Sequence, residues 1–183
     1  MSRKYKIRDQ EAIYFITFAV VNWIDVFTRR IYRDILIDSI RYCQKEKGLL
    51  LYAYCIMSNH VHMIIGRKGE NKLEDIIRDL KKFTASKILK TIEENKLESR
   101  REWMLWMFQR AGQKNSNNTK YQFWRQDNHP IELSDHKQVN QKLEYIHHNP
   151  VEAGIVLSPE EYLYSSAKNY AGIEKILEVE LIN

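Results

Sequence analysis

Between Leu49 and Gly66 the chain reads LLLYAYCIMSNHVHMIIG, two apolar runs parted only by Ser58-Asn59. Backbone groups in two such runs can satisfy one another across a tight connection, so the stretch predicts a β-hairpin with strands over Leu49 to Met57 and His60 to Gly66. The flanking patterns extend it. Ala12 to Trp23 is rich in Ile, Val, Phe and Tyr and apolar at both parities, which predicts a strand covered on both faces, central or lying in an interface. Between it and the hairpin, Ile31, Ile35, Ile37 and Ile40 recur among Arg, Asp and Lys, predicting an amphipathic helix that ends near Gly48. The order to this point is β-α-β-β.

From Lys72 to Asn95, Leu73, Ile76, Ile77, Leu80, Phe83 and Ile88 recur at helical spacing and predict a second helix. Residues 96–120 read as an insertion: an amphipathic piece from Arg101 to Arg110, then the loop composition GQKNSNNTK, with poor order expected over Asn115 to Thr119. Trp103, Trp106 and Met107 form an apolar set that a short helix cannot bury alone, so this piece either packs on its own domain or serves a dimer or DNA surface. Tyr121 to Trp124, resuming near Ile131 to Leu133, is the remaining strand candidate. The resulting β-α-β-β-α-β order predicts an α+β, ferredoxin-like antiparallel sheet with both helices on one face. Additional C-terminal helices follow. One is capped by Ser134 or Asp135, runs through His148 and is stopped by Pro150; the other starts at Ser158-Pro159-Glu160-Glu161 and runs to about Tyr170.

The 183 residues amount to about one domain at the usual ~150 residues each, so the reading is a single domain over 1–183 with the 96–120 insertion inside it. Hydrophobic residues at 44% and charged residues at 29% are globular proportions. No apolar run approaches the ~20 residues of a membrane span, and the basic N-terminus lacks a small-residue cleavage site, so a cytoplasmic location is expected. Cys43 and Cys55 have no metal or disulfide spacing. Twenty-nine Lys and Arg against 24 Asp and Glu give a net charge of +5, which favours a polyanionic partner.

His60-Val61-His62 is the sharpest chemical signal. Alternate residues of a strand share a face, so both imidazoles point one way while Val61, Met63 and Ile65 point into the opposite layer. Two imidazoles on an open face suit a divalent metal or a phosphate, although spacing alone favours two half-exposed strand histidines. In QVNQKLEYIHHNPVEAG, Val139, Leu143 and Ile146 form the buried stripe, and Tyr145 lies roughly 120° from its centre at about 100° per residue. Tyr145 and Asn149, four apart, share a side if the last turn holds. A phenol of pKa about 10 becomes a useful nucleophile when a metal polarises the phosphate it attacks, but a surface tyrosine and a helix-ending Asn fit the pattern as well. Lys81, Lys82, Lys87 and Lys90 can track a phosphate backbone or simply solvate a helix face.

The stretches YAYCIMSNHVHMIIG, LKKFTASKI, FWRQDNHPIEL and YIHHNPVEAGIV, followed by YLYSSAKNYAG, resemble in order the REP-associated tyrosine transposases, which belong with the single-tyrosine insertion-sequence transposases of the HUH nuclease superfamily. The resemblance runs from about residue 10 to residue 172. It implies that His60 and His62 hold a divalent cation, Mg²⁺ or Mn²⁺, with Asn149 assisting, and that Tyr145 is the nucleophile. The implied substrate is single-stranded or hairpin DNA, cleaved and rejoined through a 5′-phosphotyrosine, and the implied assembly is a homodimer. His129 lies in a matching block without an assigned role. His147 and His148 are expected to touch DNA or solvent. The insertion lies outside the family pattern. Two other functions compete: a non-catalytic nucleic-acid-binding module of ferredoxin-like fold, which lacks its usual signature here, and a metal-dependent hydrolase, which would need acidic ligands not adjacent to the pair.

Overall fold

The computed structural model describes residues 7–114, 120–126, 128–173 and 175–182. The loop expected over Asn115 to Thr119 lies outside the described residues. Four strands, β1 (Tyr14–Ala19), β2 (Leu49–Ile56), β3 (His60–Arg67) and β4 (Ile131–Glu132), form one antiparallel sheet in the order β2-β3-β1-β4. This is the ferredoxin-like order. Helices α1 (Arg30–Lys47) and α2 (Leu73–Glu94) supply the two crossovers, and α3 (Arg101–Gln113), α4 (His136–Glu152) and α5 (Ala167–Tyr170) complete the described helices.

The β2–β3 hairpin turns at Ser58-Asn59, as its two polar residues predict, and β1 pairs with both β3 and β4, which makes it the inner strand its two-sided apolarity requires. The strand is shorter than expected. It ends at Ala19 because Asn22 and Trp23 adopt left-handed φ of 55° and 56°, so 3-10 turns over Val21–Trp23 and Val26–Thr28 replace the extended chain. Residues 121–124 return alongside β1: Val21 N–H donates to the Phe123 carbonyl and Arg125 N–H to that of Ala19.

Tyr32, Leu36, Ile37, Ile40 and Cys43 of α1 are buried with Leu73, Ile76, Ile77, Leu80 and Ile88 of α2. Helix α1 stops at Gly48, whose φ of 75° is left-handed and whose absent Cβ would lie 2.1 Å from the Lys68 carbonyl oxygen. Helix α3 packs on the chain's own core. Its buried residues are Met104, Phe108 and Gly112, with Phe108 against the Phe123 ring at 5.2 Å, while Trp103 and Trp106 face outward. Its approach is anchored by buried Glu98: burial opposes ionisation, but Arg100 and Arg29 outweigh it and hold the carboxyl below its usual pKa.

The C-terminal region departs from expectation. Instead of one helix to Tyr170, a 3-10 turn at Pro159–Glu161 gives way to turns and an isolated bridge of Ser165 with Cys55 before α5. Along this stretch, Ile56 N–H donates to the Tyr164 carbonyl and Ser166 N–H to the Tyr54 carbonyl, and Glu180 N–H reaches Leu51 farther on. The exposed edge of β2 needs partners more than these residues need helical bonds. Among the described residues no helix is long and apolar enough to cross a membrane.

Candidate active site

The pairing of β1 with β3 sets Thr17 opposite His62 and Ala19 opposite His60. Strand alternation therefore gathers Phe15, Thr17, His60 and His62 on one face and sends Ile16, Phe18, Val61, Met63 and Ile65 to the other. That other face belongs to α2: the Trp124 ring, edge-on to Phe18, donates its indole N–H to Thr84. The two imidazoles lie 4.7 Å apart between ring centroids. Nδ1 of His62 is 2.7 Å from the Thr17 hydroxyl, and its Nε2 is fully buried without a partner. Nδ1 of His60 lies 2.7 Å from Oδ1 of Asn59.

Burial favours the neutral imidazole at both positions. His62, 4% exposed, is pushed down to about 3 by burial and then by the nearby His60 and Lys142 charges. Burial also lowers His60, although the Asn149 side chain works against it. Both rings are thus neutral near pH 7, each with a nitrogen lone pair to offer.

Helix α4 covers this face. Asp135 caps it by accepting from Gln138 N–H at 2.8 Å, and Val139 and Ile146 anchor it in the core. Off that stripe, Tyr145 is 41% exposed, its ring edge-on to His62 at 5.1 Å and to Phe15 at 6.0 Å. Lys142, three residues earlier, holds its ammonium 4.8 Å from the Phe15 ring centre and 5.5 Å from that of Tyr145. Pro150 does not stop the helix, contrary to expectation. So near the C-terminus the missing N–H removes one bond only, α4 continues to Glu152, and Asn149 stays on the Tyr145 side beside His60.

His60, His62, Tyr145 and Asn149 are therefore brought together, whereas Lys81, Lys82, Lys87 and Lys90 are not. All four lysines lie on α2, across the sheet from the imidazoles. Lys81 donates to the Arg125 carbonyl at 2.9 Å and also to Asn128, Lys90 pairs with Glu94 at 3.7 Å, and Lys82 and Lys87 are exposed. His147, expected to touch DNA or solvent, is instead buried, bonded to the Ser166 hydroxyl at 2.9 Å and edge-on to Tyr170, with burial pushing its pKa down to about 4. His148 is exposed and bonds the Glu144 carbonyl. His129 is exposed, with a φ of 41°.

Sequence reasoning overlooked Phe15, Thr17, Trp23 and Lys142. Lys142 had a signal, since residues 142, 145 and 149 share one helix side. The Thr17–His62 contact had none, because it depends on register between distant strands.

The donor set fits a divalent cation. The orphaned Nε2 of His62 would gain its missing partner, and a second imidazole and an amide oxygen stand beside it. Two imidazoles and one amide oxygen are three donors, so the set would leave positions for water or phosphate oxygens on a six-coordinate cation.

The family model described as IS200-like transposase matches residues 10–107, more than half of the chain and including both imidazoles. A solved structure of the REP-associated tyrosine transposase bound to a REP hairpin aligns with 100% of this chain and 94% of its own, at 15% identity and a TM-score of 0.62. That likeness is one of fold. A crystal structure of a Deinococcus radiodurans protein, 18% identical over 80% of this chain and 97% of its own, reaches a TM-score of 0.44. No curated protein matches the chain in sequence.

Proposed function

Because the chain belongs to the IS200-like transposase family and is thus a DNA-processing enzyme, we propose that it cleaves and rejoins single-stranded DNA at hairpin-flanked sites through a 5′-phosphotyrosine on Tyr145. The observation that carries this reading is the Tyr145 ring set edge-on against His62, whose Nε2 is buried without a partner. A solved fold relative bound to a REP hairpin supports hairpin DNA as the substrate class.

His60, His62 and Asn149 would hold Mg²⁺ or Mn²⁺, which when bound supplies Lewis-acid polarisation of a phosphate oxygen. Thr17 and Asn59 fix the two rings through their Nδ1 atoms, leaving Nε2 of each toward the site. The exposed Tyr145 phenol gives up its proton and its oxygen bonds to phosphorus; the bond from phosphorus to the 3′ oxygen breaks, and that oxygen takes a proton to leave as a 3′-hydroxyl. Attack by such a hydroxyl on the phosphotyrosine reverses the step and rejoins DNA. Lys142, beside the Tyr145 ring, places positive charge where the phosphate must arrive. Lys82 and Lys87 would engage the DNA backbone farther off, around the α2 side, with Lys81 and Lys90 held closer to their present partners.

The test uses two hairpin oligonucleotides of one sequence, labelled at opposite ends and incubated with protein and Mn²⁺. The adduct on a denaturing gel should retain only the 3′-end label and should vanish in Tyr145→Phe. An adduct carrying the 5′-end label, or one persisting in Tyr145→Phe, would sink the proposal.

A further inference from the structure

Beside the imidazole pair, at the turn of the β2–β3 hairpin, the indole of Trp23 is 53% exposed and edge-on to the His60 ring at 5.9 Å. A bulky residue rarely adopts the left-handed φ of 56° found here, and Asn22 before it is also left-handed. The turn is held by specific bonds: Trp23 N–H donates to the Val20 carbonyl at 3.2 Å, and the Trp23 carbonyl accepts from the Asn59 amide at 3.2 Å. The same Asn59 side chain meets Nδ1 of His60, so one amide ties the Trp23 backbone to the His60 imidazole. Nothing in the core needs this ring. Its outward placement costs backbone strain and forgoes burial, a combination that marks functional segments.

Arg125 stands over the same indole, its guanidinium carbon 5.3 Å from the ring centre, and among the described residues no carboxylate pairs with it. Arg125 also borders a hollow of about 370 Å³ lined by Ala111, Lys114, Gln122 and Gln126. An aromatic face, a cation over it and a polar basic hollow beside that cation are the parts of a single-strand nucleic-acid path: bases stack on the ring while cations follow the phosphates.

We infer that Trp23 and Arg125 form a stacking platform for one unpaired nucleobase next to the phosphate engaged at His60, His62 and Tyr145, an inference that rests on the reading of that site as a single-strand DNA nuclease. The base lies on the indole, and Arg125 swings from the ring to the adjoining phosphate. An indole face offers no hydrogen-bond code, so the platform tolerates any base but requires that one be present. It thereby selects unpaired over paired DNA at this position.

The experiment steps a single abasic nucleotide along the unpaired arm of a hairpin oligonucleotide and measures affinity by fluorescence anisotropy in full-length Tyr145→Phe, which cannot trap the strand. One position should weaken binding about tenfold, within the range for loss of one base–aromatic stack. Adding Trp23→Ala should weaken binding of the intact strand to the same extent and abolish the sensitivity to that abasic position, while Trp23→Phe should keep most of it. Arg125→Ala should lower affinity and flatten its salt dependence. An abasic series without any sensitive position, or equal sensitivity in Trp23→Ala, overturns the platform. If Trp23→Ala fails to fold, an abasic series on the Trp23-intact protein without a sensitive position still overturns the platform. The two readings fail separately: a wild-type adduct with no Trp23-dependent base sensitivity removes the platform and keeps the nuclease, and Trp23-dependent sensitivity without any adduct does the reverse.

Discussion

On one face of the sheet Ile16, Phe18, Val61, Met63 and Ile65 are wholly buried beneath the α1–α2 layer, whereas the other face sets Thr17, His60 and His62 beneath α4. The first face is dry and apolar, so each residue contributes transfer and packing energy. The second buries one imidazole with an unpartnered nitrogen and half-buries another, and so spends stability on polar groups that the core does not require. Residues one apart along β3 thus serve different ends. Stability and chemistry should separate by strand parity.

The largest effect expected is on the apolar face. Met63→Ala should cost about 2–5 kcal/mol in urea unfolding, through lost transfer energy and a cavity. His62→Ala, its neighbour in sequence, should cost clearly less, because an unpartnered buried nitrogen leaves with the ring, while abolishing adduct formation. Equal destabilisation by both would break the comparison.

Acid should act on the α4 side. His147 titrates near 6.5 when unfolded and at about 4 in the fold, because burial and then the His148 charge disfavour the imidazolium. The folded pKa is depressed, so the unfolded chain takes the proton first: the stabilisation is complete above pH 6.5 and is lost as pH falls from 6.5 toward 4, on the order of 3 kcal/mol. His62 shifts in the same direction. Chemical unfolding between pH 7 and 4 should show this loss, and His147→Gln should flatten the curve. An unchanged slope in that variant would place the acid lability elsewhere.

A smaller effect sharpens the link between face and function. Thr17→Val keeps side-chain shape but leaves Nδ1 of His62 without its partner. Mn²⁺ affinity by calorimetry should fall about 10–100-fold, with roughly 1 kcal/mol of stability lost. Unaltered affinity would mean that Thr17 does not orient the ring. The smallest effect lies on the outward side of α3. Trp106→Ala should change stability by no more than about 0.5 kcal/mol, several-fold less than Phe108→Ala on its buried side. The reverse ranking in thermal melts would show that α3 seats by its other side.

Much of this contrast was legible in the residues themselves. The hairpin, the parity of His60 and His62, the stripes of α1 and α2 and the Asp135 cap all follow from local periodicity or local bonds. Three features did not. The end of β1 was overestimated because nothing in Val21-Asn22-Trp23 announces left-handed backbone. The helix expected to reach Tyr170 broke because Tyr164 and Ser166 bond to an edge strand more than 100 residues earlier. His147, read as a surface residue, is buried because Ser166 and Tyr170 close over it, again through a distant segment.

The sequence by itself determined which side chains share a face, since a strand repeats every two residues and a helix every 3.6 whatever surrounds them. It therefore placed His60 with His62, and Tyr145 with Asn149. Only the tertiary structure decided that these two faces meet, that Thr17 and Asn59 hold the imidazoles, and that Lys142 and Trp23 flank them. Those contacts depend on strand register and on which apolar surfaces close over one another, choices made by the burial of the whole chain and carried by no segment alone.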